Sequence, residues 1–163
     1  MTCVTFLALI AGTIILHQVS QINSQHCDSG WTYVSDGWYK YIPAKMMWAD
    51  AEDYCQQLSP PGHLASLHSK KTEDSLKELI LNIEKSLPWT WIGGHDMFKD
   101  RKFMWTDGSP LDYTNWLSNE PNNYQGTREA CMMMNYADSN QWNDAVCATP
   151  MSFVCKASRM HRS

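Results

Sequence analysis

The chain has 163 residues, room for one compact domain rather than two. Eight tryptophans and only 18% charged side chains exclude an extended disordered chain. A formal charge of −4, with basic residues scattered singly or in short groups such as Lys70-Lys71, gives no electrostatic case for nucleic acid.

The first element is an apolar run of eleven residues from Phe6 to Leu16, followed by polar Gln18 to Gln25. It is too short for a membrane span, which needs about 20 residues, but suits a signal-peptide core. The region before it lacks the usual Lys or Arg. Residues 1–24 are therefore read as a signal peptide, cleaved between 20 and 25, and the mature protein as secreted and extracellular. No later segment is long and apolar enough to anchor it. Cleavage removes Cys3 and leaves five cysteines: Cys27, Cys55, Cys131, Cys147 and Cys155. In an oxidising compartment they should pair, and the odd count leaves one free or bonded to another chain. There is no CxxC pair and no Cys/His cluster at zinc spacing.

From Cys27 to Ile42 the aromatic- and Gly-rich sequence, with a turn at Ser35-Asp36-Gly37, predicts a β-hairpin. Ala44 to Leu58 reads as a helix, with Met47, Ala51, Tyr54, Cys55 and Leu58 at helical spacing. Leu64 to Leu67 is a short strand. A second helix opens at Ser69 or Thr72, carries Leu76, Leu79, Ile80 and Ile83 on one face, and ends by Pro88. Thr90 to Gly93 and Lys102 to Thr106 read as strands. Leu111 to Thr127 is a long run of turn-formers, a candidate functional loop. Met132–Tyr136, Gln141–Asn143 and Ser152–Lys156 are the closing strands. The fold class is α+β: two helices early, strands at both ends, one long loop.

The stretch from Trp116 to Asp144 holds a cluster of oxygen-bearing side chains: Glu120, Asn122, Glu129, Asn143 and Asp144. Calcium takes six to eight oxygens from carboxylates and carbonyls, which this mixture offers. Zinc would want His or Cys. No Ser-His-Asp or Cys-His set stands out, and Glu120 and Glu129 make better cation ligands than a catalytic carboxylate pair, so an enzyme is not expected.

Taken together, Trp91-Ile92-Gly93-Gly94, Trp105-Thr106-Asp107-Gly108, Glu120-Pro121-Asn122 and Trp142-Asn143-Asp144, with Cys55, Cys131, Cys147 and Cys155, resemble the C-type lectin-like domain family. The likeness covers Cys27 to Lys156, so the domain is placed at 27–156. It implies the C-type lectin-like fold, with two helices flanking antiparallel sheets and a long loop carrying the site. It also implies disulfides Cys55–Cys155 and Cys131–Cys147. In the chain-entropy model these would contribute roughly 4–5 and roughly 3 kcal/mol.

The resemblance further implies that Glu120, Asn122, Glu129, Asn143 and Asp144 bind one calcium ion and the sugar, with the backbone carbonyl of Asp144 as a further ligand. An Asn whose carbonyl faces the cation keeps its NH₂ as a donor, and a Glu keeps one oxygen as an acceptor. A sugar hydroxyl between such a pair can donate to Glu and accept from Asn. Pro121 is expected to be cis, turning both neighbours to one side. Glu-Pro-Asn in this order implies mannose-type sugars, and Tyr124 and Trp116 are candidates to stack on a sugar face. Asp96 and Asp100 match two acidic positions of a second, auxiliary calcium site. Asn123 and Ala130 replace two others, so that site is expected to be degraded.

Cys27 matches the first cysteine of an amino-terminal pair whose second position is Trp38 here. The expectation is an interchain disulfide and a covalent homodimer. The implied function is a secreted, calcium-assisted lectin of the short animal mucus, serum and venom type, agglutinating cells or microbes through surface glycans in innate defence. The alternatives are a galactose/lactose-binding or calcium-independent lectin, and a protein-binding or ice-binding relative.

Overall fold

A computed structural model describes residues 30–157. Residues 1–24, expected to be a signal peptide, and Cys27 lie outside the described residues.

The opening hairpin pairs β1 (Thr32–Val34) with β2 (Gly37–Met46) around the two-residue turn Ser35-Asp36. β2 runs on to Met46, where it still pairs with Met151, so the first helix begins later than its apolar spacing predicts. That helix, α1 (Trp48–Leu58), buries Trp48, Ala51, Glu52 and Cys55 and leaves Tyr54 largely exposed. β3 (Gly62–Leu64) comes next. α2 (Lys70–Glu84) is capped by Ser69, whose side chain accepts from the backbone N–H of Thr72 at 3.2 Å. Its buried face is Thr72, Glu73, Leu76 and Ile80, while Ile83 is exposed.

The remaining strands are β4 (Thr90–His95), β5 (Met104–Trp105), β6 (Cys131–Tyr136), β7 (Gln141–Ala145) and β8 (Met151–Ala157). They join one sheet in the order β1-β2-β8-β4-β6-β7, with β3 on β8 and β5 on β4. Neighbours are antiparallel except β4 and β8. β5 is only a two-residue remnant of the strand predicted over Lys102–Thr106.

Both faces of the sheet are covered, which is why its central strands read as unbroken apolar runs rather than alternations. Trp91, Met133 and Phe153 pack with Ala51 and Cys55 of α1. Their neighbours Ile92, Met132, Met134 and Val154 pack with Leu76 and Ile80 of α2, together with Trp105 and Trp142. Gly94 faces the Met132 side chain so closely that a β-carbon would collide with its sulfur. Two disulfides close the frame, Cys55–Cys155 and Cys131–Cys147, as the resemblance implies.

The long loop is fastened at its start. Buried Glu73 accepts from Tyr113 Oη at 2.9 Å and Asn115 Nδ2 at 2.8 Å, and pairs with Lys77. Backbone bonds Trp142 N–H to Asn115 O and Leu117 N–H to Trp142 O then lay the loop beside β7. Trp116 packs against Phe103 and Trp142, with ring centroids 4.9 and 5.9 Å apart. It therefore belongs to the packing under the loop, not to a sugar-facing surface.

Candidate functional site

Beyond Leu117 the loop turns, and the peptide bond between Glu120 and Pro121 is cis. Asn122 Nδ2 donates to Glu120 Oε1 at 2.9 Å, so these two side chains meet. β7 carries Asn143 and Asp144 opposite Met133 and Met132 of β6. Glu129 lies just ahead of β6, two positions before the Cys131–Cys147 bridge that ties β6 to the segment after β7.

Glu120, Asn122, Glu129 and Asn143 line one groove of about 200 Å³, with Tyr124 at its edge, 63% exposed. The fifth residue, Asp144, stands behind them. It is 1% exposed, and its carboxylate accepts the backbone N–H groups of Asn122 and Asn123, both at 3.0 Å. Its carbonyl accepts from Asn143 Nδ2. The five residues predicted from sequence thus come together, with Asp144 holding the loop that presents the others.

The electrostatics of the cluster are unbalanced. Glu120 Oε2 and Asn122 Oδ1 are buried oxygens without a hydrogen-bond partner. Buried acceptors of this kind are costly unless something with positive charge or a donor faces them. Burial, then the neighbouring Asp144 and Glu129, push the Glu120 carboxyl up to about 7. Glu129 is also raised, by burial and by Asp144, although the Tyr124 N–H bound to it at 2.6 Å acts in the other direction. Among the described residues no three His, Cys, Asp or Glu side chains converge as a metal cluster on their own. The donor set includes amide oxygens instead, a mixture suited to a hard cation.

Next to this cluster lies a second acidic pair with the opposite balance. Arg128 Nη2 sits 2.6 Å from Asp96 Oδ1, and Nη1 3.1 Å from Asp100 Oδ1. Nη2 also donates to the Asp96 carbonyl at 2.8 Å. Asp96 has 1% of its side chain exposed, so its charge is neutralised inside the protein by a tethered guanidinium. These are the two acids matched to an auxiliary cation site, and an arginine faces both. Asn123 connects the clusters: its Nδ2 donates to Asp100 at 2.9 Å, and its Oδ1 accepts the Glu129 N–H at 2.8 Å. Sequence reasoning assigns Arg128 no role, because its partners lie about 30 positions upstream.

A Ser-His-Asp sequence of contacts, not legible in the chain order, does form. His68 Nε2 is 3.2 Å from Ser66 Oγ, and His68 Nδ1 is 2.7 Å from Asp112. Ser66 is fully buried, its hydroxyl is donated to Asp107, and Lys156 Nζ donates to it at 3.1 Å. A hydroxyl so engaged, with no exposed face, has no place for a substrate carbonyl; the contacts tie β8 to the start of the loop.

The sequence profile of the Lectin C-type domain matches residues 44–157. The chain is 44% identical over 132 residues to a protein called Lectin from Pleurodeles waltl, covering 81% of this chain and 76% of that one. It is 33% identical over 150 residues to a C-type lectin mannose-binding isoform from Oxyuranus scutellatus, covering 92% and 93%. Among solved structures it overlays herring type II antifreeze protein with a TM-score of 0.72 at 28% identity, covering 83% of this chain and 100% of that one. The chain belongs to the C-type lectin domain family.

Proposed function

We propose that this protein is a secreted lectin in which Glu120, Asn122, Glu129, Asn143 and Asp144 hold one calcium ion, and that a mannose-type sugar binds there. The observation that carries the reading is the pair of buried oxygens without partners, Glu120 Oε2 and Asn122 Oδ1, in a cluster of carboxylates whose own charges repel. A hard cation answers both. When bound, calcium supplies the missing positive charge and open positions for two neighbouring sugar hydroxyls.

The protein's residues do the rest. Glu120 offers a carboxylate oxygen as acceptor to one hydroxyl, and the Asn122 NH₂ offers a donor. Asn143 and Glu129 repeat that acceptor and donor pairing across the groove. Asp144 fixes the backbone of Asn122 and Asn123 so that the loop presents these groups in register. The Glu-Pro-Asn order supports mannose-type over galactose-type sugars, while the relatives divide: one is named for mannose binding and another, at the same 33% identity, for α-N-acetylgalactosamine.

Linkage of two chains through Cys27 would give agglutination of cells or microbes by avidity, since paired weak sites gain from effective concentration on a glycan surface. The likeness to an antifreeze protein favours a second reading, in which the same face binds ice.

A glycan array probed with calcium and again with chelator tests the proposal. Mannose-terminated binding that disappears with chelator is the expected result. Binding only to galactosides overturns the sugar assignment, and binding unchanged by chelator overturns the role of calcium. Absence of sugar binding together with thermal hysteresis would move the function to ice.

A further inference from the structure

The groove does not stop at the cation cluster. Trp89 and Tyr136 also line it, together with Met133, Val146 and Thr149, and Trp89 borders a neighbouring hollow with Leu81, Leu87 and Asp138 as well. Trp89 is 51% exposed, the most exposed tryptophan among the described residues, whereas Trp91, Trp105 and Trp142 lie at 0–2% in the core. A half-exposed indole in a groove offers a flat apolar face that a ligand can cover.

The backbone around it is nevertheless fixed. The Trp89 carbonyl accepts from Ser152 Oγ at 3.2 Å, and the Pro88 carbonyl accepts from Thr90 Oγ1 at 2.7 Å and Asn135 Nδ2 at 3.1 Å. The Trp89 ring rests on Tyr136 with centroids 5.5 Å apart.

Tyr136 reaches the groove through an irregularity. In a regular strand, residues three apart point to opposite faces. Between Met133 and Tyr136 the β6–β7 register shifts, and Asn135 has φ 65°. A bulge of this kind re-aims a side chain, and here Tyr136 turns to the side that Met133 also lines. The result is a pair of rings, inclined at 53° to each other, lining the same groove as the cation cluster.

Tyr136 lies three positions along β6 from Met133, which is opposite Asn143, so the two ends are at most roughly 10 Å apart, less where the bulge shortens the strand. A second sugar residue would cover that span. The lining at this end carries no charged side chain, so the ligand it fits is neutral, with an apolar face for the indole and hydroxyls at its edge.

We propose that Trp89 and Tyr136 form a subsite for the second or third residue of an oligosaccharide whose end residue binds at Glu120 and Asn122. The assignment rests on the lectin reading above and adds a ligand length to it. Trp89 stacks on the sugar ring, and the cation cluster takes the terminal hydroxyls.

The test is calorimetry on the disulfide-intact protein with calcium, using methyl α-mannoside and α-linked mannotriose, with methyl β-galactoside and a β-linked galactotriose in parallel. The trisaccharide of the preferred series should bind more tightly than the monosaccharide. Trp89→Ala should cost roughly three- to tenfold in trisaccharide affinity, leave the monosaccharide unchanged, and be largely rescued by Trp89→Tyr. Quenching of tryptophan fluorescence by the trisaccharide should disappear in the same variant.

Equal affinities for one and three residues, with Trp89→Ala silent, overturn the subsite and leave the lectin reading standing. Loss of monosaccharide affinity in Trp89→Ala makes the pair a support of the first site and also overturns it. Concentration-dependent self-association that Trp89→Ala abolishes would assign the platform to a second copy of the chain. No binding of any of the four sugars by the unmodified protein overturns the lectin reading, and the subsite with it.

Discussion

Two acidic clusters lie near the end of the long loop, and their charge is balanced differently. Asp96 and Asp100 face the guanidinium of Arg128, a cation the chain itself supplies. Glu120 instead has Asp144 and Glu129 as its charged neighbours, with two buried oxygens unmatched and its carboxyl held up to about 7 by burial and those acids. A tethered cation is always present and orders its surroundings permanently. An exchangeable one leaves positions open for a ligand. Asn123, bonded to Asp100 on one side and to the Glu129 backbone on the other, lets the permanent cluster steady the exchangeable one.

The sharpest way to break this contrast is to remove the unmatched oxygen. Glu120→Gln should weaken calcium binding by about 100-fold or more, since it deletes a charged ligand from a small set. Titration calorimetry reads this directly. In the unmodified protein, calcium at about 100 times its Kd should stabilise by about 2.7 kcal/mol. For a domain of this size that raises Tm by roughly 10 °C. The variant should show no such rise, and a Tm that still climbs with calcium would place the cation elsewhere.

Arg128→Ala attacks the other cluster. It leaves buried Asp96 without its partner, a loss of about 1–3 kcal/mol given that Arg128 is itself 44% exposed. In chelator the variant should unfold several degrees below the parent, whereas Glu120→Gln should not. Through Asn123 it should also weaken calcium binding several-fold. A variant with unchanged Tm in chelator would mean that the guanidinium only decorates the loop.

Much of this is legible in the chain and some of it is not, for identifiable reasons. Trp91-Ile92 and Met132-Met133-Met134 announce buried strands because a sheet covered on both faces needs apolar side chains at every position. The five candidate site positions are legible because two short motifs and Glu129 carry them. Arg128 is not, because an ion pair across about 30 residues leaves no spacing rule to read. The start of α1 is misplaced because helical periodicity in Ala44 to Met47 competes with sheet pairing that continues to Met46, and the pairing wins. Trp116 reads as a residue able to stack on a ligand, and nothing in the sequence assigns Trp89 a role. Only the fold shows that Phe103 and Trp142 pack on the first while the second stays half in water.

The smallest effect concerns pH. The Glu120 carboxyl moves from an ordinary value near 4.5 to about 7 in the folded chain, while the unfolded chain keeps the ordinary value. Between these values the folded state binds more protons than the unfolded one, so stability in chelator falls as pH rises through that window and levels above it. The raised Glu129 acts in the same direction, and Asp144 is the nearby charge that opposes ionisation of both. Calcium requires the carboxylates ionised, so its stabilising effect should grow over the same window. The useful quantity is the Tm of the parent minus that of Glu120→Gln. In chelator this difference should decline from pH 5 to pH 8, and with calcium it should rise. A difference that stays flat in chelator would show that the acidic cluster is already neutralised by the protein itself, and the contrast with the Arg128 cluster would collapse.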